Sequence, residues 1–145
     1  MAYSSVVVGT DGSATAEQAV RAAAELAAGD GAELLVVASY PTDPDPPDGS
    51  AGAAPPPEGW RARAEQAAER GRALAAEAGV GAAVARAEQG AASDVLVDVA
   101  RSVQADLIVV GSQGMSGAAR FTIGSVAGAV SHEAPCDVLI FHTTS

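Results

Sequence analysis

Lysine is absent from this chain, and all eight of its basic residues are arginine, at positions 21, 61, 63, 70, 72, 86, 101 and 120. Against them stand 18 Asp and Glu, for a net charge of −10. An acidic chain with scattered guanidinium groups repels phosphate backbones, which argues against nucleic acid and anionic membrane as partners. Without lysine there is no G-x-x-x-x-G-K-[ST] loop, and so no ammonium to grip β- and γ-phosphates. Cysteine occurs once, at Cys136, which excludes an internal disulfide and a Cys-rich metal site. No apolar run reaches the ~18 residues of a membrane helix, and no charged leader precedes a long apolar stretch. These absences together predict a cytoplasmic protein. Aromatic residues make up only 3% of the 145 positions. The core is therefore expected to be built from Ala, Val, Leu and Ile, with small residues bringing helices close to a sheet. The length suits one domain, 1–145.

Apolar runs alternate with helical patterns from end to end. Ser5–Thr10 reads as a strand ending in Asp11-Gly12-Ser13, a turn and helix-cap pattern. An alanine-rich helix follows over Ala14–Ala28, broken by Gly29-Asp30-Gly31, and Glu33–Ser39 is a second buried strand. A second helix is expected over Glu58–Ala78, with Trp60, Ala64, Ala67, Gly71, Leu74 and Ala78 along its inward face. Ala82–Ala87 supplies a short third strand. Ser93 and Asp94 are candidate caps for a helix carrying Val95, Val99 and Val103 inward. Asp106–Val110 is the clearest buried strand, Ser125–Glu133 a short helix ended by Pro135, and Cys136–His142 the last strand. Strands that are apolar on both faces and separated by helices indicate a mostly parallel sheet covered on both sides. The expected fold is thus α/β, a single-domain, doubly wound, five-stranded parallel sheet. Sites in such folds lie beyond the carboxyl ends of the strands, where the strand order reverses. That puts Thr10–Gly12 beside Gly111–Gly117 if strands one and four are neighbours.

Seven of the eight prolines fall within Pro41–Pro57, together with Asp43, Asp45 and Asp48. Such a stretch cannot propagate a ladder and reads as a loop. It is either a tolerated surface insertion or a flap over a ligand, since it leaves a strand at its carboxyl end.

The chemistry concentrates in Gly111-Ser112-Gln113-Gly114, followed nine residues later by Gly124-Ser125. Glycines allow a backbone to approach a ligand closely. Gly124-Ser125-Val126 opens a helix, where unpaired N–H groups and the helix dipole favour an anion. A strand, a glycine loop and a helix start make a phosphate cradle. At the other strand end, Asp11 offers a carboxylate to a ribose hydroxyl or a base amine, and Ser13 can share the work of capping the helix.

Over nearly its whole length the sequence resembles the universal stress protein family. Gly111-x2-Gly114-x9-Gly124-Ser125 is similar to the signature of its nucleotide-binding branch, and V-V-V-G-T-D-G-S at residues 6–13 to its first strand and turn. The A-P-C-D-V-L-I-F ending is similar to its last strand, with Asp137 where Pro is common. The resemblance implies strand order 3-2-1-4-5, with Thr10, Asp11 and the main chain of Ala38 at the adenine end. It implies Gly111 and Gly114 beside the ribose and α-phosphate, and Gly124, Ser125 and Val126 at the outer phosphates. The family more often has Val where Ala38 stands, and a basic residue where Gln113 stands. The family also pairs its last strand with that of a second copy, which implies a homodimer through residues 137–142.

The remaining candidates are weaker. Gly111-x-x-Gly114-x-x-Gly117 is not G-x-G-x-x-G and follows a late strand. Arg120 reads as solvated, His132 and His142 as structural or solvent-facing rather than a metal pair, and Cys136 as a small core residue. Ser112, Ser116 and Ser125 have no His–Asp support for nucleophilic activation. The leading reading is a binding protein whose ligand is ATP, with Mg2+ held by phosphate oxygens and water if a triphosphate binds. A slow ATP hydrolase, a cyclic AMP-binding protein and a ligand-free scaffold are the other readings.

Overall fold

The computed structural model describes residues 2–41, 57–112 and 125–143. The proline-rich 42–56 stretch therefore lies outside the described residues. The chain forms β1 (Ser5–Gly9), α1 (Ala14–Asp30), β2 (Glu33–Tyr40), α2 (Pro57–Glu77), β3 (Ala83–Gln89), α3 (Ala92–Ser102), β4 (Leu107–Gly111), α4 (Ser125–Glu133) and β5 (Asp137–Phe141). The five strands make one parallel sheet in the order β3-β2-β1-β4-β5. Class and strand order are those the sequence led us to expect.

Strand alternation explains the two layers of helices. Val6 and Val8 of β1 join Leu34, Val36, Leu107 and Val109 under α1 and Ala75 of α2. Val7 joins Leu35, Val37, Ile108 and Val110 on the opposite face, under α3 and α4. Val6, Val7 and Val8 are all fully buried, each worth about 1.5–3 kcal/mol relative to exposure. The scarcity of aromatics is met by close packing. Val36 of β2 leaves so little room that a Cβ added at Gly71 of α2 would lie 2.5 Å from its Cγ1.

Helix ends depart in detail from the sequence reading. The side chain of Ser13 caps α1, its Oγ accepting the Ala16 N–H at 3.2 Å. The helix continues through Gly29 and stops at Gly31, which takes the left-handed conformation at φ 68°. In α2 the buried line is Ala64, Ala68, Gly71 and Ala75, whereas Trp60 and Ala78 are exposed. Alanine on nearly every face of this helix makes its apolar stripe ambiguous, and the smallest residues face the sheet. Neither Ser93 nor Asp94 caps α3. Its cap position is Ala91, without a side-chain hydrogen bond, because β3 runs to Gln89 and brings the chain into the helix earlier.

At the amino ends of the strands, carboxylates satisfy main-chain amides. Asp106 accepts the Ser4 and Ser5 N–H groups at 2.9 and 3.0 Å, tying the start of β4 to the start of β1. Tyr3 donates its N–H to Asp30 and its hydroxyl to Asp137, both at 2.9 Å.

Candidate functional site

The strand order reverses between β1 and β4, which pair through Val6–Leu107, Val7–Ile108 and Val8–Val109. Their carboxyl ends, Gly9 and Gly111, therefore emerge side by side, and a cleft opens there. It holds about 670 Å³ of empty space, its solvent-open mouth included.

The sheet supplies the floor through Gly9, Val37 and Val110, with Gly111 at the rim. The first turns of α3 make an apolar wall of Ala92, Val95 and Leu96. Gly9 is what lets that wall close in, since a Cβ there would lie 3.0 Å from Leu96 Cδ1. Val126 of α4 contributes from the far side, and Thr10, Asp11, Ser13 and Ala16 from the turn into α1.

That turn is held from within. Thr10 Oγ1 accepts the Gly12 N–H at 3.1 Å, and Asp11 Oδ1 accepts the Ser13 N–H at 2.9 Å. Gly12 sits at φ +83°, the left-handed region that favours glycine. Asp11 thus shapes the turn with one oxygen, while Oδ2 has no hydrogen-bond partner among the described residues. Among the described lining residues Asp11 is the one charged side chain, and there is no guanidinium.

Of the residues singled out from sequence, Thr10, Asp11, Gly111 and Val126 come together on this cleft. Ser125 is the exposed first residue of α4. The Ala38 side chain packs on the opposite face of the sheet with Ala64 and Ala68, while its neighbours Val37 and Ser39 line the cleft. Gln113, Gly114, Ser116, Gly117, Arg120 and Gly124 lie outside the described residues. Sequence reasoning missed Val37, Ser39, Ala92, Val95, Leu96 and Val110. The period-2 alternation of β2 carries the signal for Val37 and Ser39. A right-handed crossover into α3 carries it for the wall.

His132 and His142 are exposed, and the described residues hold no cluster of three or more His, Cys, Asp or Glu that could bind a metal. Cys136 is half-buried against the α3–α4 side of the core. Burial first, then the charges of Asp137 and Asp106, push its thiol above the ordinary value. No helix among the described residues is long and apolar enough to cross a membrane.

Comparison with known proteins gives this geometry a context. The chain is 38% identical over 147 aligned positions to a universal stress protein of Mycobacterium tuberculosis strain H37Rv, covering 99% of each chain. A solved universal stress protein in complex with cAMP is 35% identical, with a TM-score of 0.78, over 99% of this chain and 100% of that one. The universal stress protein from Archaeoglobus fulgidus in complex with dAMP is 26% identical, with a TM-score of 0.69, over 99% and 100%. The model of the universal stress protein family matches residues 2–142. A match across so much of the chain, on a sheet of this order with its cleft at the β1–β4 reversal, shows that the chain belongs to the universal stress protein family.

Proposed function

We propose that the cleft beyond β1 and β4 holds one adenine nucleotide, and that the protein acts by binding it rather than by turning it over. The observation that carries this reading is the cleft's composition. Its floor and wall are apolar, and its polar groups sit at the turn and rim, with one carboxylate oxygen left over. A flat purine fits between apolar walls, and the spare Asp11 oxygen can accept from a ribose hydroxyl or the base amine. The phosphate then falls to main-chain amides at Gly111, Gly114 and Gly124 and at the start of α4, Ser125 and Val126, where the helix dipole favours negative charge. The main chain of β2 around Ala38 borders the base. Asp11 is the sole candidate general base among the described lining residues and belongs to the adenine end, so among those residues no side chain is placed to drive hydrolysis.

Between ATP and cyclic AMP, the cleft's charge favours the cyclic nucleotide. Its phosphodiester carries a single negative charge, whereas ATP brings a highly charged tail into a chain with no lysine. The 35%-identical protein bound to cAMP supports the same choice. ATP would need Mg2+ beside it, held by phosphate oxygens and water. Titration calorimetry of the full chain with cyclic AMP and with ATP plus Mg2+ tests the reading. Cyclic AMP should bind at least about tenfold tighter, a difference of ~1.4 kcal/mol. Asp11→Ala should weaken it by a further tenfold or more, as loss of a hydrogen bond to a charged group does at about 1.5–3 kcal/mol. Absence of heat with either nucleotide would refute the proposal, and tighter ATP would reverse the choice of ligand.

We further infer a homodimer through residues 137–142. β5 ends the sheet, its Val138-Leu139-Ile140-Phe141 run has no charge or proline, and Leu139 is 38% exposed. An apolar sheet edge of this kind invites pairing with a second strand, and a second copy satisfies it with two-fold symmetry. The whole of 1–145 then acts as one cytoplasmic domain.

A further inference from the structure

Just past the cleft's rim, the chain is fastened to its own C-terminal segment. Gly111, the last residue of β4, stands opposite Phe141 of β5. Ser112 extends the ladder one step, its N–H donating to the Phe141 carbonyl at 2.8 Å. The Ser112 side chain then reaches across. Its Oγ accepts the Thr143 N–H at 3.1 Å and lies 3.5 Å from Thr143 Oγ1. Thr143 is only 1% exposed, the sole buried polar residue among those described. One serine, directly bonded to a cleft-lining glycine, therefore anchors the backbone that leaves the edge strand.

From this geometry we propose that Ser112 is a positioning residue that transmits occupancy of the cleft to the end of β5 and to Thr143. The proposal rests on the nucleotide reading above and concerns its regulation. The coupling runs through local opening. The 141–143 stretch lies at the end of the last strand, so it opens more readily than the central strands. A ligand against Gly111 restricts the backbone of Gly111 and Ser112. With Ser112 fixed, its Oγ stays in place to receive the Thr143 amide, and the 141–143 stretch opens less often. Two sites that share one ordering cost are coupled reciprocally, without a change of shape. A merely structural Ser112 would raise protection of this stretch equally with and without ligand. A coupling Ser112 raises it more when the cleft is full.

Hydrogen exchange on the full chain, followed by mass spectrometry of a peptide spanning 137–143, separates the two. It is run with no nucleotide, with saturating cyclic AMP and with saturating ATP plus Mg2+, on wild type, Ser112→Ala and Ser112→Thr. Calorimetry on the same samples reports binding. In wild type, whichever nucleotide binds should slow exchange at 141–143 by about fivefold, the lower end of usual coupling factors. In Ser112→Ala the nucleotide should still bind, and the slowing should fall to within about 1.5-fold of none. Ser112→Thr keeps the hydroxyl and should restore it. Binding without slowing in wild type, or slowing that survives in Ser112→Ala, overturns this proposal and leaves the nucleotide reading standing. No binding in wild type overturns both.

Discussion

Gly71 offers a sharp test of how α2 is seated on the sheet behind the cleft. Replacing a helical glycine by alanine ordinarily stabilises a helix by about 1 kcal/mol, because the glycine has more backbone freedom to lose. At Gly71 the sign should reverse. The new Cβ would lie 2.5 Å from Val36 Cγ1 and 3.6 Å from Val20 Cγ1. Neither valine can retreat easily. Both are fully buried, a β-branched side chain has restricted χ1 freedom, and Val36 lies in β2, paired on both sides by β1 and β3. A contact that short belongs at the upper end of overpacking costs, about 3 kcal/mol, which leaves a net loss of about 2 kcal/mol. The control is Gly128→Ala in the middle of α4, where an added Cβ meets nothing within 4 Å and the full gain of about 1 kcal/mol should appear. The pair should therefore differ by about 3 kcal/mol. At roughly 3–4 °C per kcal/mol for a chain of this size, that is a gap in Tm of about 10 °C. Thermal melts and urea titrations of both variants read it directly. A Gly71→Ala protein as stable as wild type would mean that α2 does not approach β2 as described, and the packing argument would fail.

Two further outcomes follow from the edge strand and from the amino ends of the strands. Leu139→Lys puts a charge on the exposed residue of the β5 apolar run and should shift sedimentation at micromolar concentration from the proposed dimer to monomer; an unchanged dimer would move the interface elsewhere. Burial pushes the Asp106 carboxyl up, but the amides of Ser5, Ser4 and Asp106 itself outweigh it and hold the group below its ordinary value. A depressed folded-state value means stability that is present above the unfolded value of about 3.9 and lost as pH falls through the folded one. Wild type should therefore exceed Asp106→Asn in stability at pH 7, with the gap narrowing below about pH 4. A gap that stays constant from pH 7 to pH 2 in urea titrations would contradict this.

The strand runs 6–8 and 107–110 could be read in advance because both faces of each strand are apolar, and only a parallel sheet covered on both sides asks for that. Their adjacency at the site was conditional on strands one and four being neighbours, an order that the family resemblance implied. Local chemistry was less legible where residues are small. In α2, alanine recurs so often that several stripes satisfy a 3.6-residue period, and packing against Val36 decides among them. Glu88 and Gln89 look polar enough to end a strand, yet an edge strand with one open side tolerates them, so β3 runs on and moves the cap of α3 to Ala91. The cleft's walls hid for a related reason. Val37 and Ser39 differ from Ala38 only in which face of β2 they occupy, and α3 is brought over the floor by a crossover whose landing point no single residue marks.

Part of the chain's acidity is kept from an anion in the cleft by where three of its carboxylates sit. In a parallel sheet all amino ends lie on one side and all carboxyl ends on the other. The amino ends expose N–H groups that need acceptors, and here Asp106 and Asp30 supply them to Ser4, Ser5 and Tyr3, with Asp137 beside them on the Tyr3 hydroxyl. The cleft lies at the other end, with Asp11 the one carboxylate among its described lining residues. β1 is five residues long, which at ~3.3 Å per residue sets the two ends about 16 Å apart. That is twice the ~8 Å screening length of physiological salt. Those three carboxylates therefore cost the proposed ligand little, and the main-chain amides near its phosphate act almost unopposed by them. The same topology that calls for carboxylates at the amino ends keeps these three away from the anion.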